Sequence, residues 1–176
     1  MAANVRRAIA TGIAGVSVED STGDDASPLF EFTLAVERVR AAASAVARSG
    51  ALLVARSEGF IVGRPNLAET TRRLTAYAEA GADCLYAPGI KTRDEITAVV
   101  RAVAPKPVNV LIGSAFTTVA ECAALGVRRI SVGGALARTA WAGFMTAARE
   151  LARDGTFGGF ASAAPSGELN DLFEKN

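Results

Sequence analysis

The sequence of 176 residues contains no histidine. This absence excludes Ser-His and Cys-His nucleophilic systems, histidine bases and the histidine ligands common in zinc sites. Acid–base chemistry would therefore fall to carboxylates, lysine, tyrosine, cysteine or bound water. The two cysteines, Cys84 and Cys122, lie far apart within apolar segments. We therefore expect two buried thiols rather than a disulfide or a metal site.

The sequence also lacks a large excess of charge and a long apolar run. Lys and Arg number 19 against 18 Asp and Glu, and no basic tract or cluster of stacking aromatic residues is present. Nucleic acid is therefore not an expected partner. No apolar stretch has the length of a membrane span, and the N-terminus lacks a signal-peptide pattern. We expect a cytoplasmic protein that does not bind membranes.

A repeated unit organises what is present: a helix end, a glycine able to adopt positive φ, and then a strand. Three of these junctions contain Gly12, Gly81 and Gly126. The predicted strands are 12–20, 51–55, 83–87, 108–112 and 129–132. The predicted helices are 4–11, 33–49, 66–80, 92–103, 118–126, 135–153 and one from 166, with a lid-like loop at 21–31 and a flexible segment at 155–164. Strict alternation implies a parallel sheet, either doubly wound or part of a barrel.

The central apolar run, 51–55, ends abruptly in charge at Arg56 and Glu58. Side chains two residues apart on a strand point to the same face, so this guanidinium and carboxylate would lie together. Ligands of α/β proteins bind beyond the carboxyl ends of the strands, which is where this pair falls. The alternative interpretation is a structural ion pair in which the two side chains only satisfy each other.

Polar residues also occupy the ends of the other predicted strands. They are Glu19 and Asp20, Tyr86, Asn109, and the pair Gly133-Gly134 at the start of a helix. Arginine binds carboxylate or phosphate groups through two hydrogen bonds, and a glycine-opened helix start presents N–H groups to anions. Carboxylates such as Glu19 can hold Mg²⁺, usually through waters. A site for a small acidic ligand is therefore predicted, although Asn109 could instead be a simple hydrogen-bonding residue.

Several motifs together resemble the isocitrate lyase/phosphoenolpyruvate mutase superfamily, in its oxaloacetate decarboxylase- or phosphonomutase-like branch. The first two are Gly-Val-Ser-Val-Glu-Asp-Ser-Thr-Gly-Asp at 15–24 and Ala-Arg-Ser-Glu-Gly-Phe at 55–60. The others lie at 63–67, 80–89, 106–111, 129–135 and 165–170. Together they cover essentially the whole chain.

This resemblance implies a (β/α)8 TIM barrel, of which residues 1–176 would form a single partial domain of about five C-terminal βα units. It also implies a Mg²⁺-dependent enzyme that makes or breaks C–C or P–C bonds in a small anionic 2-oxo acid through an enolate. The resemblance further implies that Glu19 is a metal ligand and that Arg56 and Asn109 bind substrate. Together with the other strand-end residues, the predicted site has Glu19 and Asp20 as metal ligands, Arg56 and Glu58 as catalytic residues, and Arg56, Asn109 and Gly133 as substrate-binding residues.

The sequence also departs from the family pattern. The loop 24–28 has neither the cysteine nor the histidine of the lyase branch, so isocitrate lyase or methylisocitrate lyase activity is not expected. The chain begins at the position of the family's third helix, so we expect the first three strands and their Asp-x-Asp ligands to be missing. Five strands cannot close an eight-stranded barrel. Either a partner chain supplies closure, or the termini rearrange, or the chain is a truncated product. A homo-oligomer that exchanges the terminal helix 165–176 is expected.

Two further functional hypotheses therefore remain beside the enzyme. One is a catalytically degenerate member of the superfamily that serves as an oligomeric binding module. The other is a five-stranded doubly wound domain that binds an anion.

Overall fold

The computed structural model describes residues 1–174. It divides into two compact units, with the boundary between Val132 and Gly133. Each unit is described separately below. That the whole chain acts as one partial-barrel domain stays a prediction.

The first unit is a parallel sheet with helices between its strands. Its strands are β1 (Gly15–Glu19), β2 (Leu52–Arg56), β3 (Cys84–Tyr86), β4 (Val108–Leu111) and β5 (Arg129–Ser131). Its helices are α1 (Ala2–Ile9), α2 (Phe32–Val46), α3 (Leu67–Glu79), α4 (Arg93–Val103) and α5 (Val119–Ala124). The five strands lie in sequential order, β1-β2-β3-β4-β5. The doubly wound alternative is wrong, because that fold reverses its strand order at a switch point.

The sheet has one packed face and one open face. Strand β2 lies between β1 and β3. Along it, Leu53 and Ala55 are fully buried, whereas Leu52 is 58% exposed. The buried side chains join residues of the helices in one hydrophobic cluster that includes Val39 of α2 and Leu74 of α3. Because successive side chains of a strand point to opposite faces, the other face carries the side chains that the core does not use.

Side-chain caps fix the starts of the four helices α2, α3, α4 and α5. Thr92 and Thr118 form the predicted capping boxes with Glu95 and Glu121. At α3 the prediction of a capping box is wrong in part. Asn66 does accept from the Glu69 backbone N–H, but the Glu69 carboxylate turns away from the cap to pair with two arginines of α3, Arg72 and Arg73.

The glycines at the helix–strand junctions have positive φ, as predicted. Gly81 has a φ of 105°, and a Cβ atom there would lie 2.9 Å from the Cβ of Ala43 on α2. Gly126 has a φ of 91°, and its Cβ would lie 2.9 Å from Val100 of α4. Glycine at these two positions therefore lets the chain turn into the next strand while neighbouring helices approach closely.

The second unit is helical in its described part. It contains α6 (Ala135–Asp154), a short 3-10 helix (Gly158–Ser162) and α7 (Ser166–Glu174). Part of the segment predicted to be flexible is thus an ordered turn, because Glu150 accepts hydrogen bonds from the N–H groups of Gly158 and Gly159. No residue of α6, the 3-10 helix or α7 is buried within residues 133–174. The last two residues of the predicted exchanged helix lie outside the described residues.

Two expectations from composition can be compared with the structure. Both cysteines are free and buried, as predicted. Within residues 1–174, none of the helices has the length and apolar character needed to cross a membrane. The cytoplasmic location stays a prediction.

Candidate functional site

A single row of residues crosses the sheet, from the last residues of β1, β2 and β3 through the second residue of β4 to the first residue of β5. Glu19 pairs in register with Arg56, Arg56 with Tyr86, Tyr86 with Asn109, and Asn109 with Arg129. Residues paired in this way project to the same face, which is the one opposite the packed core. Along it Glu19 and Arg129 are exposed and Arg56 is half-buried, whereas Tyr86 and Asn109 are buried. We call these five residues the strand-end row. The structure thus brings together Glu19, Arg56 and Asn109, as the sequence predicted.

Arg56 lies at the centre of the polar contacts of the row. Its Nη1 atom is 2.7 Å from Oε1 of Glu19, and its Nε donates to Oε1 of Glu58 at 2.7 Å. The guanidinium carbon lies 4.8 Å from the centre of the Tyr86 ring. The ion pair between Arg56 and Glu58, which the sequence analysis gave as the alternative interpretation, is therefore present. It does not use all of the N–H donors of Arg56, so a ligand can still be bound.

The two carboxylates beside Arg56 differ in exposure. The Glu19 side chain is 44% exposed and that of Glu58 is 4% exposed. Burial raises the pKa of Glu58, while the hydrogen bond and charge of Arg56 act in the opposite direction. With both carboxylates ionised, this group of three side chains carries a net negative charge. An anionic ligand would therefore bind better with a cation or a proton present.

Asn109 is fully buried and its amide is held in one orientation. Its Oδ1 accepts a hydrogen bond from Nη1 of Arg129 at 2.9 Å, and its Nδ2 donates to Oγ of Ser131 at 3.0 Å. An amide nitrogen carries two N–H groups, so one donor remains beyond the bond to Ser131. Asn109 is thus a buried hydrogen-bonding residue of the sheet, which was the alternative interpretation of the sequence, and its substrate-binding role stays a prediction.

Asp20 does not belong to the strand-end row. It follows Glu19 directly, so its side chain points to the packed face, where it is 2% exposed. Oδ1 accepts from the Glu58 backbone N–H at 2.7 Å, and Oδ2 from the Tyr77 hydroxyl at 2.7 Å and from Arg73 Nη1 at 3.2 Å. Burial and the charge of Asp20 raise the pKa of Tyr77, which keeps this hydroxyl a donor. The metal-ligand role of Asp20 stays a prediction.

Gly133 begins the second unit. It has a φ of 51° and precedes Gly134, the N-cap residue of α6. Its substrate-binding role stays a prediction.

A cleft lies beside the ends of β1 and β2. Its volume is about 450 Å³, and it is formed by the loop after β1 and the segment after β2, including Asp24, Asp25 and Arg64. The bridge between Ser21 and Leu29 makes the loop after β1 a small hairpin. Side chains of both signs therefore line this opening, and its lining includes no residue of the strand-end row.

The residues present fit part of a magnesium site. Glu19 is exposed, and its Oε1 lies 2.7 Å from Nη1 of Arg56 in the ion pair described above. Within residues 1–174, no group of three or more His, Cys, Asp or Glu side chains could hold a metal ion. Mg²⁺ commonly keeps several waters and takes one or two carboxylates together with ligand oxygens. Glu19 can supply one such carboxylate.

Three residues of the site and its support were not predicted: Arg129, Arg73 and Tyr77. Arg129 could have been found from the sequence, because it is a charged residue in a predicted strand and the other predicted strands end in polar residues. Arg73 and Tyr77 lie four residues apart on one side of α3, a pattern that does not by itself indicate a buried polar contact.

Comparison with known proteins gives the same assignment as the motifs. The phosphoenolpyruvate phosphomutase family matches residues 1–152. An oxaloacetate decarboxylase from Bradyrhizobium diazoefficiens is 34% identical over 110 residues, which cover 57% of this chain and 38% of the decarboxylase.

Solved structures agree in fold. A protein described as a lyase/mutase from Burkholderia cenocepacia J2315 is 46% identical with a TM-score of 0.92, over 98% of this chain and 63% of that one. A phosphonopyruvate hydrolase in complex with oxalate and Mg²⁺ is 28% identical with a TM-score of 0.79, over 99% of this chain and 65% of that one. The chain therefore spans less than two thirds of the length of these relatives. It belongs to the phosphoenolpyruvate phosphomutase family, within the isocitrate lyase/phosphoenolpyruvate mutase superfamily that its sequence resembles.

Proposed function

We propose that this chain binds a small 2-oxo acid at Arg56 and takes part in Mg²⁺-dependent lyase or mutase chemistry at a C–C or P–C bond. The observation that supports this most strongly is the strand-end row, which places Glu19, Arg56 and Asn109 on one open face. The names of the relatives agree with a small oxo acid, since they include an oxaloacetate decarboxylase and a phosphonopyruvate hydrolase.

In this proposal Arg56 binds the carboxylate of the ligand. A guanidinium offers parallel N–H groups that match the two oxygens of a carboxylate. Glu58 holds Nε from a buried position, and the exposed Glu19 is the partner that a ligand can displace or share. The second Nδ2 hydrogen of Asn109 is a further proposed contact, which requires the ligand to displace the atoms that cover this buried amide.

Bond cleavage next to a carbonyl leaves an enolate, and its negative oxygen has to be stabilised. Arg56 places positive charge near that oxygen, and the hydrogen bond from its Nε to Glu58 holds the guanidinium in this orientation. Mg²⁺ bound through Glu19 would polarise the oxygens of the ligand and offset the net negative charge around Arg56. The buried Glu58, with its raised pKa, is also the proposed proton-holding group of the site.

Calorimetric titration with oxalate, with and without Mg²⁺, tests the proposal. We expect binding that depends on Mg²⁺ and that weakens by about 100-fold in Arg56→Ala, because a charge-assisted pair is lost. Arg153→Ala is the matched control, since Arg153 pairs only with its exposed neighbour Asp154 within the described residues. Oxalate binding that is unchanged in Arg56→Ala would overturn the proposed site.

A second candidate is a binding module of the same superfamily without turnover. It is favoured by the lack, within residues 1–174, of a carboxylate cluster able to hold a metal alone. The loss of oxaloacetate absorbance and the conversion of phosphonopyruvate, followed by ³¹P NMR so that both phosphate release and isomerisation are seen, distinguish the two candidates. Oxalate binding without turnover of either compound would favour the binding module.

A homo-oligomer completes the proposal. The helices of the second unit expose large apolar side chains, among them Trp141 at 60%, Phe144 at 63% and Phe173 at 80%. Such a surface is typical of a protein interface. We expect light scattering to give a mass above that of one chain, and Trp141→Glu to lower it.

A further inference from the structure

The two oxygens of the buried Asp20 carboxylate accept hydrogen bonds from different parts of the chain. Oδ1 accepts from the backbone N–H of Glu58 at 2.7 Å, across the sheet from β1 to the end of β2. Oδ2 accepts from the Tyr77 hydroxyl at 2.7 Å and from Arg73 Nη1 at 3.2 Å, both on α3. Two donors on α3 thus hold the Asp20 carboxylate, and this carboxylate in turn holds the backbone N–H of Glu58. A buried carboxylate needs such donors, because its charge is otherwise costly to bury.

The end of β2 is held on both sides of Ser57. The Asp20 N–H donates to the carbonyl oxygen of Arg56 at 3.3 Å, while the Asp20 carboxylate accepts from the N–H of Glu58. Between them, the Ser57 N–H donates to the Tyr86 carbonyl oxygen at 2.9 Å. The backbone that carries Arg56 and Glu58 is therefore tied to both neighbouring strands. From this backbone, the Glu58 carboxylate reaches Nε of Arg56.

Arg73 connects the same carboxylate to the hairpin after β1. Its Nη1 donates to the Phe30 carbonyl oxygen at 3.1 Å, and the Phe30 N–H donates to the Asp20 carbonyl oxygen at 2.8 Å. The base of the hairpin and the end of β2 thus share one buried support.

We infer that Asp20, held by Tyr77 and Arg73, is a positioning residue that sets the Arg56 guanidinium for its anion through Glu58. The inference rests on the proposed function of Arg56 and deepens it. The three supporting side chains lie on the packed side of the sheet, since Arg73 and Tyr77 belong to α3 and Asp20 points towards them, away from the face that carries Arg56. Their effect on binding has to pass through the Glu58 backbone and carboxylate.

Tyr77→Phe tests this with the smallest possible change, because it removes one hydroxyl and keeps the ring in the core. We expect the Kd of oxalate in the presence of Mg²⁺ to rise about three- to thirty-fold, the range for substitutions that act through packed neighbours. Val99→Ala is the matched control for lost stability, since Val99 is fully buried on α4 and has no polar contact with the site. It should lower Tm at least as much as Tyr77→Phe while leaving the Kd within about two-fold of wild type. A Tyr77→Phe protein that binds oxalate as wild type does, or a Val99→Ala protein that loses the same affinity, would overturn the inference.

A second measurement needs no ligand and separates this inference from the proposed function. The Nε–H signal of Arg56 in a ¹⁵N spectrum, identified by its loss in Arg56→Lys, reports the hydrogen bond to Glu58. We expect this signal to move towards that of a free arginine, with faster hydrogen exchange, in Tyr77→Phe and not in Val99→Ala. If wild type binds no oxalate but the signal moves as expected, the proposed function fails and the positioning role stands. If the signal stays in place, the positioning role fails whatever the ligand.

Discussion

The Nε atom of Arg56 donates to Oε1 of Glu58 at 2.7 Å, two residues further along the same chain. The two side chains are unequally buried, with 23% of the Arg56 side chain exposed against 4% of the Glu58 side chain. The carboxylate is therefore the fixed partner, and the guanidinium reaches from it towards the open face. Removing the charge of either residue changes both stability and ligand binding, in ways that differ with pH.

The substitution Glu58→Gln tests the charge of the buried carboxyl. Burial raises the pKa of Glu58 above its ordinary value of 4.5, with Arg56 opposing the shift. A carboxyl whose pKa is raised on folding contributes stability below its unfolded pKa, and this contribution is lost as the pH rises through the folded pKa. We expect the free energy of unfolding of wild type, relative to Glu58→Gln, to fall in urea titrations as the pH rises above the ordinary pKa of 4.5 and through the raised folded pKa. A relative stability that rises with pH would show that attraction to Arg56 outweighs burial.

The substitution Asn109→Asp tests the amide donor. Aspartate keeps an oxygen for Arg129 but offers no N–H to a ligand and adds a negative charge beside it. We expect Tm to hold, because the new carboxylate faces the Arg129 guanidinium, while oxalate affinity falls by about ten-fold or more. Ser131→Ala is the control, since it removes the acceptor of one Nδ2 hydrogen and leaves both donors in place. Oxalate affinity that is the same in Asn109→Asp and wild type would remove Asn109 from the proposed site.

Much of the fold could be predicted because each βα junction has a local signal. Helix-ending glycines, apolar runs and capping residues such as Thr92 and Thr118 act over a few residues, so they can be read from the sequence. The parallel sheet then follows from alternation, and it places strand ends at one edge. That is why Glu19, Arg56 and Asn109 could be predicted to lie together before their register was known.

The support of the site could not be predicted, because it depends on contacts between distant parts of the chain. Arg73 and Tyr77 meet Asp20 from 53 and 57 residues away. The local signal at Glu69 indicated a capping box, but the tertiary packing of α3 directs its carboxylate to Arg72 and Arg73 instead. Neighbouring carboxylates such as Glu19 and Asp20 look equivalent in sequence, and only the pleat of β1 assigns them to opposite faces.

Gly89 is the next test, because it combines a positive φ with a close approach. Its φ is 98°, and a Cβ atom would lie 2.7 Å from the Cβ of Phe60, in the segment that follows Glu58. Gly50 has a φ of 79° with no atom within 4 Å of its Cβ position, so Gly50→Ala measures backbone strain alone. We expect Gly50→Ala to cost about 1–2 kcal/mol and Gly89→Ala about 1–3 kcal/mol more, from urea unfolding. Equal losses in the two variants would show that Phe60 moves aside without cost.

The last prediction concerns the buried ion pair between Arg73 and Asp20. The Arg73 side chain is 8% exposed and contacts Asp20 Oδ2, the Phe30 carbonyl oxygen and Glu69 Oε1. Arg73→Met keeps much of the volume but leaves the Asp20 carboxylate with less compensation for its burial. We expect it to lower the free energy of unfolding by about 3–5 kcal/mol, the usual cost of breaking one partner of a buried pair.

Arg72→Met is the control for this change. Arg72 pairs with the same Glu69 carboxylate from an exposed position, so its loss should change stability little. In the double variant Asp20→Asn/Arg73→Met, the charge that needs Arg73 is gone. The loss of unfolding free energy in this variant should therefore be smaller than the sum of the losses in the two single variants, by about 0.5–3 kcal/mol. Strictly additive losses would mean that Arg73 stabilises the fold through Phe30 and Glu69 rather than through Asp20, and that Tyr77 alone holds the carboxylate behind Glu58.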